Sequence, residues 1–243
     1  MNTLVPLEFY SELYIDISLA LVIFTLFHTL VLKLNDLKNL AYINFIGYFL
    51  LIFLILYIGQ RPASHVFGDT INYYRTFTRY AQGGKILDVN DYGWHLFLKF
   101  MSGVSTIHTF FTICAFLYIF PLYKISKMLF KEYWFYSFFM FIVSFSFWTY
   151  GVNGVRNGVA CSLFLWGICY HKNKVLMGLF FLLATLFHKT TYLPILAFLL
   201  TYFYNNPKVY FKGWLACIPV SLVLGSVFIV MFSSLGFGGD DRL

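Results

Sequence analysis

The stretch Gly151-Val-Asn-Gly-Val-Arg156-Asn-Gly-Val-Ala160, answered downstream by Leu186-Phe-His188-Lys-Thr-Thr191, decides how this chain is read. Each interrupts runs of leucine, isoleucine and phenylalanine with a short polar mouth, one holding an arginine and the other a histidine. A charged residue at the mouth of a hydrocarbon-soluble segment is costly to keep and is therefore a functional candidate.

Outward from these two mouths the chain is mostly scaffold for a bilayer. Hydrophobic residues make up 60%, charged residues 11%, and the mean hydropathy is +0.75, which excludes an ordinary soluble domain. Apolar stretches recur along nearly the whole length, so residues 1–243 read as a single transmembrane domain. With no water in the bilayer core the backbone must satisfy itself, and segments without period-2 alternation must do so as helices. The expected fold is therefore all-α, a polytopic integral membrane protein. Glu8, Glu12 and Asp16 stand where the positive region of a signal peptide would be, so the first apolar run is expected to be retained. Cys114, Cys161, Cys169 and Cys217 fall inside apolar segments with no CxxC spacing and read as small apolar residues.

Hydropathy places spans near 13–32, 40–58, 105–123, 133–150, 154–170, 175–188, 190–204 and 213–232, about eight crossings. The run between Trp94 and Gly103 is too short to cross and suits an interfacial or re-entrant helix. Residues 175–204 are short for two crossings. Two short helices with a tight turn at His188–Thr191 are preferred over one helix kinked at Pro194.

Lysines then set the orientation. Lys33, Lys38, Lys124, Lys127, Lys131, Lys172, Lys174, Lys208 and Lys212 fall in alternate loops, opposed only by Asp36 and Glu132. Those loops carry the whole formal charge of +7, and the opposite side is neutral, as the positive-inside rule expects of a cytoplasmic face. Both termini are then outside. The distribution also argues against a nucleic-acid partner. Arg61, Arg75, Arg79, Arg156 and Arg242, all the arginines, land on the outer side. A guanidinium grips phosphate bidentately whereas lysine is a hydrated point charge, so the split hints at a phosphorylated or carboxylated ligand outside.

The long loop from Gly59 to about Tyr92 lies on that side. Asp69 is a plausible N-cap for a helix over 70–81, whose Tyr73, Phe77 and Tyr80 share a face flanked by Asn72, Arg75 and Arg79. That amphipathic pattern suits a helix lying on the membrane surface. On an expected helix 153–170, Asn153, Arg156, Asn157 and Ala160 share a polar face, and Gly154, Gly158 and Ser162 form a small-residue stripe for close helix approach. The plainer readings are that Arg156 snorkels to lipid headgroups, that His188 is interfacial, and that Asp69, Arg75 and Arg79 are a solvated loop surface. No zinc spacing, P-loop, GxGxxG or GxSxG occurs, so neither metal nor cofactor is expected. Apart from Asp16 no carboxylate lies within a span, which disfavours an ion-coupled transporter.

At these residues the chain resembles the EpsG/Wzy-like family, membrane polymerases of bacterial O-antigen, capsule and exopolysaccharide. Gly68-Asp69-Thr-Ile-Asn-Tyr73-Tyr is similar to the family's Asp-x-x-x-Tyr loop, and Asp91-Tyr-Gly-Trp-His-Leu-Phe-Leu to its E-x-G-[FY]-x-x-L segment. Arg156-Asn-Gly-Val-Ala160 resembles its R-x-G-[IV]-A helix start, and Phe187-His188-Lys-Thr-Thr its FH-x-[ST]-[AG] turn. The likeness runs from about residue 40 to 205, and its motifs are specific in order and spacing rather than singly. Two departures stand out. Asp91 replaces the usual glutamate, and the chain ends soon after a span where family members generally continue, which raises the alternative of an inactive, truncated polymerase.

The resemblance implies a membrane glycosyltransferase that joins oligosaccharide units carried on a polyprenyl diphosphate, outside the inner membrane and within the lipid bilayer. A chain-length regulator would be an optional further partner. The leaving diphosphate needs cations, which Arg156 with Arg75 or Arg79 can supply without metal. The acceptor hydroxyl needs a base, with His188 the first candidate and Asp69 the second. Asn153, Asn157 and Tyr73 are the candidates for binding sugar. A carrier or flippase for lipid-linked sugars, using the same arginines without chemistry, is the alternative of a different class; it would be expected to show repeated halves and a polar path to both faces.

Overall fold

Eleven α-helices carry the described residues, 5–86 and 91–234, of the computed structural model, and no strand occurs among them. The protein is an all-helical, polytopic membrane protein. Arg242, assigned above to the outer side, lies outside the described residues, as do Asp88, Asp240 and Asp241.

The chain divides into two units, Met1–His188 and Lys189–Leu243. The first holds α1 (Tyr10–Val31), α2 (Leu37–Gly59), α3 (Thr70–Ala81), α4 (Tyr92–Val104) and α5 (Ile107–Phe130). It continues through α6 (Trp134–Ile142), α7 (Phe145–Val152), α8 (Val155–Cys169) and α9 (Lys174–Phe187). The second unit holds α10 (Tyr192–Phe203) and α11 (Pro207–Ser234), joined through Asn206, whose Oδ1 accepts from the Lys208 backbone N–H at 3.2 Å.

Local chemistry explains where several helices start. Asp36, Thr106 and Asn173 each turn a side-chain oxygen onto a backbone N–H of the first turn, at 3.0, 3.3 and 3.2 Å, satisfying donors the helix cannot. Four helical stretches are long and apolar enough to cross a membrane: Leu7–Val31, Leu37–Gly59, Ile107–Ile142 and Pro207–Ser234. α8 and α9 are apolar but shorter. An expected span over 133–150 is instead two pieces, α6 and α7, broken at Val143–Ser144. The expected pair of short helices around His188 is present: α9 stops at Phe187, His188 is extended, and a 3-10 turn over Lys189–Thr191 precedes α10.

In the first unit α5 is the central post, packed by α2, α6 and α8, with α9 against α8 and α3 against α4. Phe110, Phe111, Phe135, Phe138, Ile119 and Leu98 have no exposed surface. Lipid is as apolar as leucine, so such packing is driven by dispersion and close approach rather than by expulsion of water. The approach is close where residues are small. A Cβ added at Gly59 would lie 2.6 Å from the Thr112 Cα, so α2 and α5 touch backbone to backbone. The Gly158 position of the small-residue stripe is pressed against the Tyr150 carbonyl oxygen, 2.6 Å from where a Cβ would be. Leucines and phenylalanines such as Leu30, Phe45 and Phe49 face outward, as a lipid-facing surface requires.

Arg61, just past α2, is fully buried. Its Nη1 donates to the Ile58 carbonyl (2.6 Å), Nη2 to the Val152 carbonyl (3.3 Å) and Nε to Thr70 Oγ1 (3.4 Å), and the guanidinium lies 4.5 Å from the Phe111 ring centroid. No acidic side chain among the described residues pairs with it. Its counter-charge is the partial negative charge of unsatisfied carbonyls at the C-terminal ends of α2 and α7, supplemented by an aromatic face. Burial lowers its pKa to about 10, so it stays charged at neutral pH. Arg61→Ala should cost about 3 kcal/mol, since a charged donor shared by two buried carbonyls is lost, read as a lower melting temperature of the detergent-solubilised chain. An unchanged melting temperature would show that the clasp is dispensable.

Candidate functional site

Thr70, the first residue of α3, donates from Oγ1 to the same Val152 carbonyl, 2.9 Å away. One step along each chain, the Asp69 backbone N–H donates to Asn153 Oδ1 at 2.8 Å. Gly68 adopts φ +58°, a left-handed conformation that glycine tolerates, and a Cβ there would collide with the Asn153 amide. The start of α3 is thus pinned to the end of α7.

Two expectations need correcting here. Asn153 is not on the helix of Arg156. It is the C-cap of α7; the chain breaks at Gly154, and α8 begins at Val155. Two helix ends meeting at a polar break put Asn153 against the Asp69 loop rather than beside Asn157. Asp69 does occupy the N-cap position of α3, but with helical angles (φ −66°, ψ −8°) and no side-chain capping bond; its Oδ1 accepts from Asn72 Nδ2 at 3.2 Å.

The apolar face of α3 is covered by protein rather than by lipid. Tyr73 meets Trp94 edge-on at 5.5 Å, Phe77 lies 5.8 Å from Phe110, and the Tyr80 hydroxyl and His95 Nδ1 share a hydrogen bond of 2.9 Å. The membrane-surface reading of this helix is therefore replaced by docking on α4 and α5. Arg75 and Arg79 remain exposed on its other side, with the Arg79 guanidinium 5.0 Å from the Tyr80 ring centroid.

Docking α3 on α4 brings the central pair together. Arg156, in the first turn of α8, places Nη1 2.9 Å from Oδ2 of Asp91, the residue before α4. Asp91 is almost fully buried, with 6% of its side chain exposed, whereas Arg156 keeps 29%. A buried carboxylate is costly unless paired, so the pair fixes where the guanidinium sits. No second ion pair to Arg156 occurs among the described residues, and part of its side chain stays exposed. Tyr73 is beside it: burial pushes the phenol pKa up to about 12, Asp69 pushes the same way, and the charge and backbone N–H of Arg156 oppose them.

His188 ends α9. The preceding Phe187 stacks on Phe97 at 5.5 Å and meets Trp94 edge-on at 5.7 Å, and a Cβ added at Gly93 would lie 2.7 Å from the Leu186 carbonyl oxygen. Gly93 of the Asp91-Tyr-Gly segment thus lets the end of α9 dock on the start of α4, placing His188 at the same end of the bundle as Asp91. Asn157 lies one turn into α8, where its Oδ1 accepts from Cys161 Sγ at 3.5 Å. Beyond Asn153, a cleft of about 370 Å³ opens between Ser11, His65, Phe67, Gly68, Trp148 and Thr149. Among the described residues no group of His, Cys, Asp or Glu is arranged to hold a metal ion.

A family model described as the EpsG family matches residues 44–241. The chain belongs to the EpsG family. The match includes every residue of the site just described except Ser11, and the family is the Wzy-like polymerase family. No curated protein and no solved structure matches the chain. In this EpsG protein Asp91 is the residue that holds Arg156. The sequence marks Asp91 as a departure from the family pattern and not as a site residue; an acid immediately before a helix is the local signal that points to it.

Burial lowers the His95 pKa below its ordinary 6.5, the Arg156 and Arg79 charges add to that, and Asp91 opposes it. A histidine lowered on folding binds fewer protons folded than unfolded, so stability falls as pH drops through 6.5. The melting temperature should therefore decrease between about pH 7 and pH 5, and less steeply in His95→Gln; parallel curves for the two proteins would contradict this.

Proposed function

We propose that this EpsG protein joins oligosaccharide repeat units carried on a polyprenyl diphosphate, at the outer face of the bacterial inner membrane. In this reading residues 1–243 act as one transmembrane domain with both termini outside. The observation that carries it is the Asp91–Arg156 pair: a guanidinium anchored by a buried carboxylate on a side chain that stays 29% exposed. That is how a fixed cation is offered to a diphosphate, since a preorganised charge needs no reorganisation as the leaving group develops its own. Arg79 and Arg75, exposed on α3, supply further positive charge to a long diphosphate-linked headgroup.

In the transfer step the bond between the donor sugar's anomeric carbon and the diphosphate breaks, and the diphosphate leaves with the electron pair. The acceptor hydroxyl oxygen bonds to that carbon and passes its proton to a base. His188 is the first choice for that base and Asp69 the second. In this reading Tyr73 and Asn157 bind the sugar beside Arg156, and Asn153, which lines the adjoining cleft, binds it there. Its lining of indole, imidazole, hydroxyl and amide groups suits a neutral sugar ring. Family membership supports a polymerase over a carrier.

The test is complementation of a strain lacking its own O-antigen or capsule polymerase, with the glycan resolved on a gel. Arg156→Lys keeps a charge opposite Asp91 but loses the planar fork, so the wild type should give a polymer ladder and the variant one shortened by roughly tenfold or more in total polymer. Full-length polymer from Arg156→Lys would overturn the diphosphate role. Single repeat units from the wild type, with the protein present in the membrane, would favour the inactive reading, and absence of exported units the carrier.

A further inference from the structure

The helix that carries Arg156 in its first turn ends, about 20 Å away at 1.5 Å per residue, in a second and separate cavity. It holds about 240 Å³ between the C-terminal turns of α5 and α8 and is lined by Lys124, Lys127, Met128, Cys169 and Tyr170. We propose that it binds the phosphate headgroup of an anionic phospholipid from the surrounding bilayer.

The cations are held in place. Lys127 Nζ donates to the Tyr48 and Tyr123 hydroxyls, both at 3.1 Å, and sits 5.7 and 5.6 Å from their ring centroids. An ammonium has three donors, so one is left over once both tyrosines are served. Lys124 Nζ lies 5.8 Å from the Phe120 ring centroid. No acidic side chain lines the cavity. The carbonyl end of α8 contributes about half a negative charge, which two full ammonium charges outweigh. Lysines serving only to orient the chain need no shaped cavity and no pair of hydroxyls fixing the ammonium.

Size and surroundings select a lipid. The volume is below the roughly 300–1,000 Å³ of sites that enclose a whole small molecule, as expected where a headgroup enters and its tails stay outside. An aromatic column leads from the cavity along the helices toward the middle of the bundle. Tyr170 stacks on Phe180 (5.5 Å), Phe180 meets Trp166 (5.0 Å), Trp166 meets Phe120 (5.4 Å) and Phe120 stacks on Phe116 (4.8 Å), the last 39% exposed. Basic pockets between spanning helices are a recurrent headgroup site, and this one has a wall for acyl chains below it.

Cys169 in the lining reports occupancy. Cys114 is buried, so Cys161→Ser with Cys217→Ser leaves Cys169 as the accessible thiol among the described cysteines. The full chain with these two changes is placed in nanodiscs of phosphatidylcholine alone or with phosphatidylglycerol, and the rate of alkylation by an uncharged maleimide is measured. Phosphatidylglycerol should slow Cys169 roughly tenfold, two lysines acting together, and Lys124→Gln with Lys127→Gln should abolish the protection. Equal rates in the two lipids would overturn the proposal, whether or not the double variant folds. Protection by inorganic phosphate in phosphatidylcholine nanodiscs would overturn the lipid assignment in favour of a soluble anion.

Discussion

A buried arginine with no carboxylate partner among the described residues is the constraint on which the candidate-site end of the helices depends. Arg61 can be charged there because the ends of α2 and α7 present carbonyls that no helix can satisfy, and Phe111 offers a π-face. In return it fixes those two ends and Thr70 relative to one another. Thr70 starts α3 and Val152 precedes Asn153, so the same clasp that relieves the arginine also sets the loop of Asp69 against Asn153. In a bilayer, where apolar packing between helices has no water to expel, polar ties of this kind do much of the orienting.

From that clasp the functional geometry follows by contact. α3 leaves Thr70 with Tyr73, Phe77 and Tyr80 turned onto α4 and α5, and α4 begins at the aspartate that pairs with Arg156. Asp91 is buried and Arg156 is partly open, so the pair is asymmetric. One partner is enclosed and the other keeps exposed surface. The arginines and tyrosine proposed to handle the diphosphate, and the asparagine and aromatic cleft proposed to handle sugar, sit on either side of the α3 start. At the opposite end of α8, Lys124 and Lys127 of α5 line a cavity with Met128, Cys169 and Tyr170, the place proposed for a lipid headgroup.

Much of this was legible in the residues. Hydropathy and composition led to an all-helical membrane protein, and the helix over 70–81 has the bounds its capping and periodicity predicted. Membership of the EpsG family followed from motifs in order. What was not legible depended on contacts across the chain. Arg61 sits in a Gly-Gln-Arg-Pro turn that reads as solvated loop, and nothing local shows that two helix ends will close over it. The face of α3 was assigned to the membrane because amphipathicity cannot distinguish lipid from a neighbouring helix. Asn153 was drawn onto the helix of Arg156 because Asn-Gly-Val-Arg carries no proline, and only tertiary packing breaks the chain at Gly154.

The claim at the centre of this account is that Asp91 exists to position Arg156 for an anionic substrate, and not merely to tie α4 to α8. Exchanging the two, Asp91→Arg with Arg156→Asp, separates these roles. The account predicts that the exchanged protein regains the thermal stability lost in either single variant while repeat units in its membranes stay unjoined. Polymer of normal length from the exchanged protein would contradict it, because the pair would then be structural wherever its charges lie.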